Sequence, residues 1–345
     1  MITELTSDGK PFVHYHAAHC ESGVTSALFR HKGVDVSEPM VFGIGSGIFF
    51  AHLPFMKSLS MPVSTFRAAP GAIFSKTAKR LGADFIVKTY RRNPQKGMDE
   101  LRQVLRTGEV VGLKTNLYWL PYLSERFRFN FGAHNLIVLR EIENGFRISD
   151  PSFEYPVDCP AEGLEKARFA RGSGEAHGYM YYFKSVNTHP DLRVACIKGM
   201  KDSCNMMLKI PLPLFGVRGI RFLAKKVIKS EEKLGTHEAC RNLGGIVRWL
   251  EEVGTGGSGF RYMYAAFLQE ASGLFGSEDL AKSAQDMTAI GDAWRDFSVT
   301  SARIIKQRNK PEETFARAGA LMLISAGLEE NFFKNLDKVV RKLNA

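Results

Sequence analysis

The sequence predicts an α+β domain over residues 1–190, followed by a mostly helical domain over residues 191–345. In the first part, short β-branched and aromatic runs alternate with short helical segments, whereas after Asp191 long stretches of helical periodicity dominate. A hydrophobic content of 44% in 345 residues is enough for two domain cores. The change of pattern near residue 190 therefore marks the expected domain boundary.

The first domain contains one predicted helix, over residues 21–31, that ends at Gly33. Its predicted strands cover residues 85–89, 110–113, 134–141, 146–149 and 180–184. Strands 134–141 and 146–149 are joined by a turn that contains Asn144-Gly145, and this dipeptide favours the positive φ angles of a type I′ turn. The sequence therefore predicts a β-hairpin here.

The second domain has helical patterns over residues 280–290, 294–305 and 314–343. A glycine-rich turn over residues 254–259 precedes the segment 260–264, so that Arg261 is expected near the start of a helix. The second part of segment 210–230 is apolar and basic, which is typical of an amphipathic helix. An ordinary surface helix is the preferred interpretation, and peripheral contact with an anionic membrane or with an acidic carrier protein is the alternative.

The formal net charge of +11 arises from 47 basic and 36 acidic residues that are spread along the chain. This excess serves solubility or attracts an anionic partner. Nucleic acid is the weakest candidate, because the sequence contains no zinc-finger or RNA-binding signature. The five cysteines form no CxxC pair, the N-terminus resembles no signal peptide, and no apolar run reaches the roughly 20 residues of a membrane span. A reducing cytoplasm is the expected location.

Cys20 is the candidate nucleophile. It follows an extended aromatic segment and opens the predicted helix 21–31. At the first turn of a helix, the positive end of the helix dipole stabilises a thiolate and lowers the pKa of a cysteine. The alternative interpretation is a buried packing cysteine, which is the more common role of a free cysteine.

His134 and Asp150 are the candidate base and its orienting carboxylate. His134 begins one strand of the predicted hairpin, and Asp150 ends the other. A two-residue turn at Asn144-Gly145 would pair Asp150 with Leu139, so that contact with His134 requires a bulge or a wider turn around Ile142. The order Cys, His, carboxylate is that of papain-like enzymes. Separately, each residue is also compatible with a structural strand histidine and a turn-starting Asp-Pro.

Several motifs occur in order along the first domain: the run from His19 to Gly23, the run from Val36 to Gly47, LYWLPY at 117–122, GAH at 132–134 and SDP at 149–151. Together they resemble the N-terminal domain of the butirosin-biosynthesis BtrH-type acyltransferases. The segment GTGGSGFRYMYAAFL at 254–268 resembles the helical domain that commonly follows it. The resemblance implies a papain-like fold and acyl transfer from a carrier-protein thioester to a small amine or amino acid. It also implies catalytic roles for Cys20, His134 and Asp150, and no cofactor beyond the phosphopantetheine of the carrier protein.

Two groups of residues are further candidates for substrate contacts. His14 or Tyr15 would supply an oxyanion-hole donor, because papain-like enzymes often place one just before the nucleophile, although this chain has no glutamine there. Tyr118, Trp119 and Tyr122 would line an acyl or amine pocket or, equally, pack in the core.

Arg261 would bind an anion such as the phosphopantetheine phosphate, or else an internal carboxylate. A zinc site at His14, His16, His19 and Cys20 is disfavoured, because the nucleophile hypothesis already explains Cys20. Two other functions remain open at this point, namely a papain-like cysteine hydrolase and a binding module without catalysis.

Overall fold

The computed structural model describes residues 2–58, 61–171, 175–254, 256–308 and 310–344. Its strands are β1 (Ile2–Leu5), β2 (Pro11–His14), β3 (Ile48–Ser58), β4 (Met61–Arg67), β5 (Asp84–Lys88), β6 (Val111–Thr115), β7 (His134–Ile142), β8 (Gly145–Ser149), β9 (Val157–Pro160) and β10 (Met180–Ser185). Its α-helices are α1 (Cys20–His31), α2 (Glu38–Ile44), α3 (Ala72–Arg80), α4 (Pro94–Arg106), α5 (Ala161–Phe169), α6 (Leu192–Leu208), α7 (Gly216–Ile228), α8 (Ser230–Glu251), α9 (Arg261–Phe275), α10 (Glu278–Ile305) and α11 (Phe315–Leu343).

These elements form two units. The first unit comprises Met1–Val41 and Thr77–Asp191, and the second comprises Phe42–Lys76 and Leu192–Ala345. One change of unit thus falls where the sequence pattern changes, but segment 42–76 differs from the expectation because it joins the second unit. The reason is its packing partners: Ala51 of β3 bridges to Phe215, and the ring of Phe66 in β4 packs 5.5 Å from that of Trp294.

The first unit is an α+β domain built on one antiparallel sheet. The strand order is β5-β10-β6-β7-β8-β9, and β1 and β2 form a separate hairpin. Helices α4 and α5 contribute Leu101 and Leu164 to a core with Leu136 and Val138 of β7. Helix α1 contacts β7 as well. Because β7 has buried residues at consecutive positions, it reads as a continuous apolar run rather than as an alternating pattern.

The β7–β8 hairpin exists, but its turn differs from the prediction. Ile142 pairs with Gly145, so Glu143 and Asn144 form the turn, and neither Asn144 nor Gly145 has a positive φ. The prediction of a type I′ turn at Asn144-Gly145 is therefore wrong. Gly145 is needed for another reason: a Cβ at this position would lie 2.1 Å from the carbonyl oxygen of Cys159 in the neighbouring strand β9.

The second unit is mostly helical, with the β3–β4 hairpin as its sheet. The predicted helices 280–290 and 294–305 are one continuous helix, α10, because nothing between Ile290 and Trp294 interrupts the buried stripe. Helix α7 is amphipathic, as predicted, but its apolar face is buried and packs against α11. That face is therefore unavailable to a lipid surface. No helix among the described residues has both the length and the apolarity needed to cross a membrane.

Candidate active site

The candidate nucleophile, Cys20, is the first residue of helix α1. The turn that precedes it is held by the half-buried Glu38 carboxylate, which accepts hydrogen bonds from the backbone N–H groups of Ala18 (3.0 Å) and His19 (2.7 Å) and from the Ser22 hydroxyl (3.1 Å). His19 is the N-cap, with its Nδ1 accepting from the Ser22 N–H at 3.3 Å. These bonds fix the Cys20 side chain at the positive end of the helix dipole.

Burial raises the pKa of Glu38, against the effect of these three hydrogen bonds. A protonated Glu38 would lose acceptor capacity for the N–H groups that it binds. The turn before Cys20 is therefore best ordered when Glu38 is ionised. Sequence reasoning did not identify this positioning role, because Glu38 lies in a different helix, α2.

The candidate base and its carboxylate are in direct contact. Nε2 of His134 lies 2.7 Å from Oδ2 of Asp150, and both side chains are buried. Asp150 also accepts hydrogen bonds from the Tyr122 hydroxyl (2.9 Å) and from the Ser152 N–H (2.9 Å). Because Nε2 faces Asp150, the other ring nitrogen, Nδ1, is the one that could serve Cys20, whose Sγ lies 3.8 Å from the carbonyl oxygen of Ala133, the residue before His134.

Two features of the hairpin bring His134 and Asp150 together. The turn lies at Glu143-Asn144, and a β-bulge follows between Val138 and Arg140, so that Ile137 pairs with Ser149. Asp150 therefore comes opposite Leu136 instead of Leu139, three residues nearer to His134. An offset register of this kind was required by the sequence argument, but the bulge lies at Leu139 and not around Ile142.

The charges of the pair stabilise one another. Burial alone would lower the pKa of His134, but the Asp150 carboxylate and the Cys20 side chain raise that pKa from 6.5 to about 10. Burial alone would raise the pKa of Asp150, but His134, Ser152 and Tyr122 hold it below 3.8. At neutral pH the site therefore contains an imidazolium against the cysteine side chain, which is the arrangement that favours a thiolate.

Asn135 is a site residue that sequence reasoning missed. Its Nδ2 lies 3.7 Å from Sγ of Cys20 and donates to the carbonyl oxygen of Ala133 at 3.0 Å. Its Oδ1 accepts a hydrogen bond from the Tyr181 hydroxyl at 2.9 Å, which fixes the orientation of the amide. The available signal was its position next to His134, since a polar residue in an otherwise buried strand needs polar partners.

The two sequence-predicted oxyanion donors have other roles. Both ring nitrogens of His14 are engaged, Nδ1 with Oγ of Ser149 at 2.7 Å and Nε2 with the carbonyl oxygen of Phe153 at 2.9 Å. Burial, its largest influence, lowers the pKa of His14. The ring of Tyr15 lies under the guanidinium of Arg30, at 4.6 Å. The assignment of the oxyanion donor to His14 is therefore corrected, because its hydrogen-bonding capacity is already used.

The three aromatic candidates for substrate contacts divide into two groups. Tyr122 belongs to the site itself through its hydrogen bond to Asp150. Tyr118 and Trp119 are exposed and line a groove of about 570 Å³ together with Lys166. They follow strand β6, whose last residue, Thr115, pairs with His134. The groove is therefore lined by the segment that directly follows the strand end paired with His134.

Arg261 is not an anion site. It begins helix α9, as predicted, but it is fully buried, and its Nη2 donates to both carboxylate oxygens of Glu329 at 2.7 and 3.0 Å. Its Nη1 donates to the carbonyl oxygen of Gly259 at 2.6 Å. The internal carboxylate is thus the correct alternative. Among the described residues, no group of three or more His, Cys, Asp or Glu side chains is arranged to hold a metal ion.

Comparisons with known proteins address the family. Residues 19–151 match the family model described as Butirosin biosynthesis protein H, N-terminal, and residues 162–336 match the one described as Domain of unknown function (DUF4872). The chain is similar to a crystal structure described as a C39-like peptidase from Bacillus anthracis, at 15% identity and a TM-score of 0.37, over 54% of this chain and 100% of that chain. No curated protein matches the sequence.

The two family models follow one another along the chain in the order that the sequence motifs predicted, and the resemblance is confirmed. The first unit also has the arrangement of papain-like enzymes, with a cysteine that opens a helix and a His-Asp pair on adjacent strands of an antiparallel sheet. The chain therefore belongs to the family in which a Butirosin biosynthesis protein H N-terminal domain precedes a DUF4872 domain.

Proposed function

We propose that this protein transfers an acyl group from an acyl carrier protein thioester to a small amine or amino acid, through an acyl-Cys20 intermediate. The observation that carries the proposal is the buried His134–Asp150 pair, joined at 2.7 Å, beside Cys20, whose Sγ lies 3.8 Å from the carbonyl oxygen of Ala133 and 3.7 Å from Nδ2 of Asn135, the two neighbours of His134 in the chain. A protonated His134 in this position stabilises the Cys20 thiolate as the nucleophile and is also the acid that the leaving group needs.

In the first half-reaction, the Cys20 thiolate attacks the thioester carbonyl carbon. The bond between this carbon and the carrier-protein sulfur breaks, and the departing thiolate takes the proton of the His134 imidazolium. The products are acyl-Cys20, the free thiol of the carrier protein and a neutral His134. A thioester is a suitable donor because one thioester replaces another, so that this step is nearly balanced in free energy.

In the second half-reaction, an amine attacks the carbonyl carbon of acyl-Cys20. Neutral His134 accepts the proton that the amine nitrogen loses, and the Cys20 thiolate departs as the amide forms. The imidazolium and the thiolate are thereby restored. Asp150 stays ionised throughout and stabilises the imidazolium in the orientation that the reaction requires.

Asn135 supplies the oxyanion donor in this proposal. An oxyanion on a carbon bound to Sγ comes within reach of an N–H group whose nitrogen already lies 3.7 Å from Sγ. The Cys20 backbone N–H, at the first turn of α1, is the second donor. Tyr181 keeps the Asn135 amide oriented, so that the donor is in place before the charge develops.

The partner is expected to be an acidic carrier protein, because the net charge of +11 attracts an anionic surface over long range. The phosphopantetheine arm belongs to that partner, and the mechanism needs no other cofactor. Salt should reduce the rate at low substrate concentration, because it screens this attraction.

The test is a thioester assay with and without a panel of amines and amino acids. Amine-dependent release of carrier thiol, with an amide product and an acyl adduct on Cys20 by mass spectrometry, supports transfer. Cys20→Ala should abolish both adduct and amide. Fast release of carrier thiol in water, at a rate that no amine alters, would indicate a cysteine hydrolase instead of a transferase. Tight binding of the carrier protein without any acyl adduct would indicate a binding module without catalysis.

The role of Asn135 is tested separately. Asn135→Ala should slow acylation of Cys20 by about 10²–10³-fold, the usual effect of removing one oxyanion donor. Alkylation of Cys20 by iodoacetamide should change little, because this displacement develops no oxyanion. Tyr181→Phe is the matched control and should have a smaller effect in the same direction. A parallel fall in both acylation and alkylation would make Asn135 a structural residue instead.

A further inference from the structure

A second polar pocket lies in the first unit, away from Cys20. It has a volume of about 380 Å³ and is formed where strand β5 ends, where helix α5 ends and where the chain approaches β10. Its lining includes Arg91, Arg92, Phe169, Arg171, Glu175 and His177. Three guanidinium groups therefore surround one cavity with an aromatic ring in its wall.

The three arginines of the pocket are exposed to solvent. Over the described parts of the chain, no carboxylate lies within ion-pair distance of Arg91, Arg92 or Arg171. The carboxylate that lines the pocket, Glu175, is paired with His177 at 3.1 Å. Guanidinium groups are well suited to phosphate, because their planar forks donate two parallel hydrogen bonds.

A fourth arginine, Arg168, packs against the aromatic ring in the pocket wall. The guanidinium of Arg168 is fully buried and stacks on the ring of Phe169 at 4.9 Å. Its Nη1 donates to the carbonyl oxygen of Gly97, whereas its Nε and Nη2 have no hydrogen-bond partner among the described residues. Burial lowers the pKa of Arg168 to about 10, so that it remains charged at neutral pH.

The sheet register relates this pocket to the catalytic residues. Lys88 of β5, Met180 of β10, Leu113 of β6 and Leu136 of β7 form one row across the sheet. His134 lies two residues beyond this row, at the same end of the sheet as Tyr90, whose N–H binds the carbonyl oxygen of His177. Three strand spacings of about 4.8 Å therefore separate the backbone of Tyr90, the residue before Arg91, from that of His134 by about 14 Å.

This separation matches the length of a phosphopantetheine arm. About thirteen bonds join its phosphorus to its sulfur, and an extended chain advances about 3.3–3.6 Å for every three bonds, which gives roughly 15 Å. A phosphate held by the three arginines would therefore allow the thioester to reach Cys20 along the end of the sheet.

We propose that the pocket formed by Arg91, Arg92 and Arg171 binds the phosphate of the phosphopantetheine arm of the acyl donor, an inference that rests on the proposed function. The pocket thus recognises the part of the donor that every acyl carrier protein shares, whatever its acyl group. It also sets the distance at which the thioester is presented to the nucleophile.

The experiment compares three donors with one acyl group: the acyl carrier protein, acyl-phosphopantetheine and acyl-pantetheine, which lacks the phosphate. The test variant combines Arg91→Ala, Arg92→Ala and Arg171→Ala. The control combines Lys79→Ala, Lys184→Ala and Arg106→Ala, which removes the same charge from exposed positions elsewhere in the unit. The test variant should raise KM at least about tenfold for the two phosphate-containing donors and leave acyl-pantetheine unchanged. The control variant should leave the preference for phosphate intact.

Equal effects of the test and control variants on every donor would overturn the proposal. Equal use of acyl-phosphopantetheine and acyl-pantetheine by the wild-type protein would also overturn it. Binding of phosphopantetheine itself, measured by calorimetry, does not depend on acyl transfer. Binding that the test variant loses and the control variant keeps supports the pocket even if no donor acylates Cys20, a result that would refute only the proposed function. No binding to the wild-type protein refutes the pocket.

Discussion

The two units each bury an acid–base pair, and the two pairs are built for different purposes. In the first unit, His134 and Asp150 are joined by one hydrogen bond of 2.7 Å, and the Cys20 side chain contributes to raising the pKa of His134. In the second unit, Arg261 and Glu329 share several hydrogen bonds, and the indole of Trp294 adds another to Glu329 at 2.6 Å.

The difference lies in what each pair leaves available for chemistry. The Arg261 guanidinium is hydrogen-bonded to Glu329 and Gly259. It also lies 5.5 Å from the rings of Phe66 and Trp294, so that its role is structural. His134 has a titratable ring and a thiol beside it. A buried charge pair becomes a reactive site only when one partner can lose a proton and a reacting atom lies next to it.

The largest effect is expected when the reactive pair is broken. His134→Ala removes the acid and the base of both half-reactions, so acylation of Cys20 and amide formation should fall by about 10²–10⁴-fold. Single-turnover kinetics with an acyl carrier thioester measures this loss. His189→Ala, which removes an exposed histidine, is the control and should leave both rates unchanged. A loss of less than tenfold would contradict the assignment of the base.

The structural pair should respond in stability instead of in rate. Glu329→Gln leaves the buried Arg261 charge uncompensated and should lower the free energy of unfolding by about 3–5 kcal/mol. Glu330→Gln is the matched control at the next position, where the carboxylate forms partly exposed ion pairs with Arg221 and Lys334, and it should cost about 0–1 kcal/mol. Urea denaturation measures both. Equal losses in the two variants would remove the distinction between the pairs.

The cysteines offer a smaller effect that tests the thiolate directly. Burial raises the pKa of both Cys159 and Cys204 to about 12, and it also raises that of Cys240. A thiol of ordinary pKa is only about 1% ionised at pH 6.5. Iodoacetamide at this pH should therefore label Cys20 at least about 100-fold faster than the other four cysteines. Cys20→Ser should remove the fast label, and equal labelling of all five would count against a thiolate.

The stability of the fold should also depend on pH. The raised pKa of His134 means that its contribution is fully present below pH 6.5 and is lost as pH rises through about 10. The lowered pKa of Asp150 means that its contribution is present above about pH 3.8 and is lost in stronger acid. The difference in unfolding free energy between wild type and His134→Gln should therefore shrink from pH 6.5 to pH 10. A constant difference would show that the His134 charge does not stabilise the fold.

Local sequence patterns predicted the elements better than their pairing. Strands β7 and β8 and helices α1 and α11 lie close to their expected bounds, because hydrophobic periodicity and end signals reside in neighbouring residues. The approach of Asp150 to His134 required a bulge at Leu139, and nothing local specifies it. Asn135 and Glu38 were missed for the same reason, since their partners belong to other elements.

The sequence by itself determined the order and the kind of the components: a cysteine that opens a helix, a histidine and an aspartate at the ends of two strands, and a helical second half. The tertiary structure alone decided the hairpin register, the membership of segment 42–76 in the second unit and the partner of Arg261, which lies 68 residues further along the chain. The physical reason is that periodicity is a property of adjacent residues. Register and ion pairing depend instead on the packing and hydrogen bonding of residues that meet only in the folded chain.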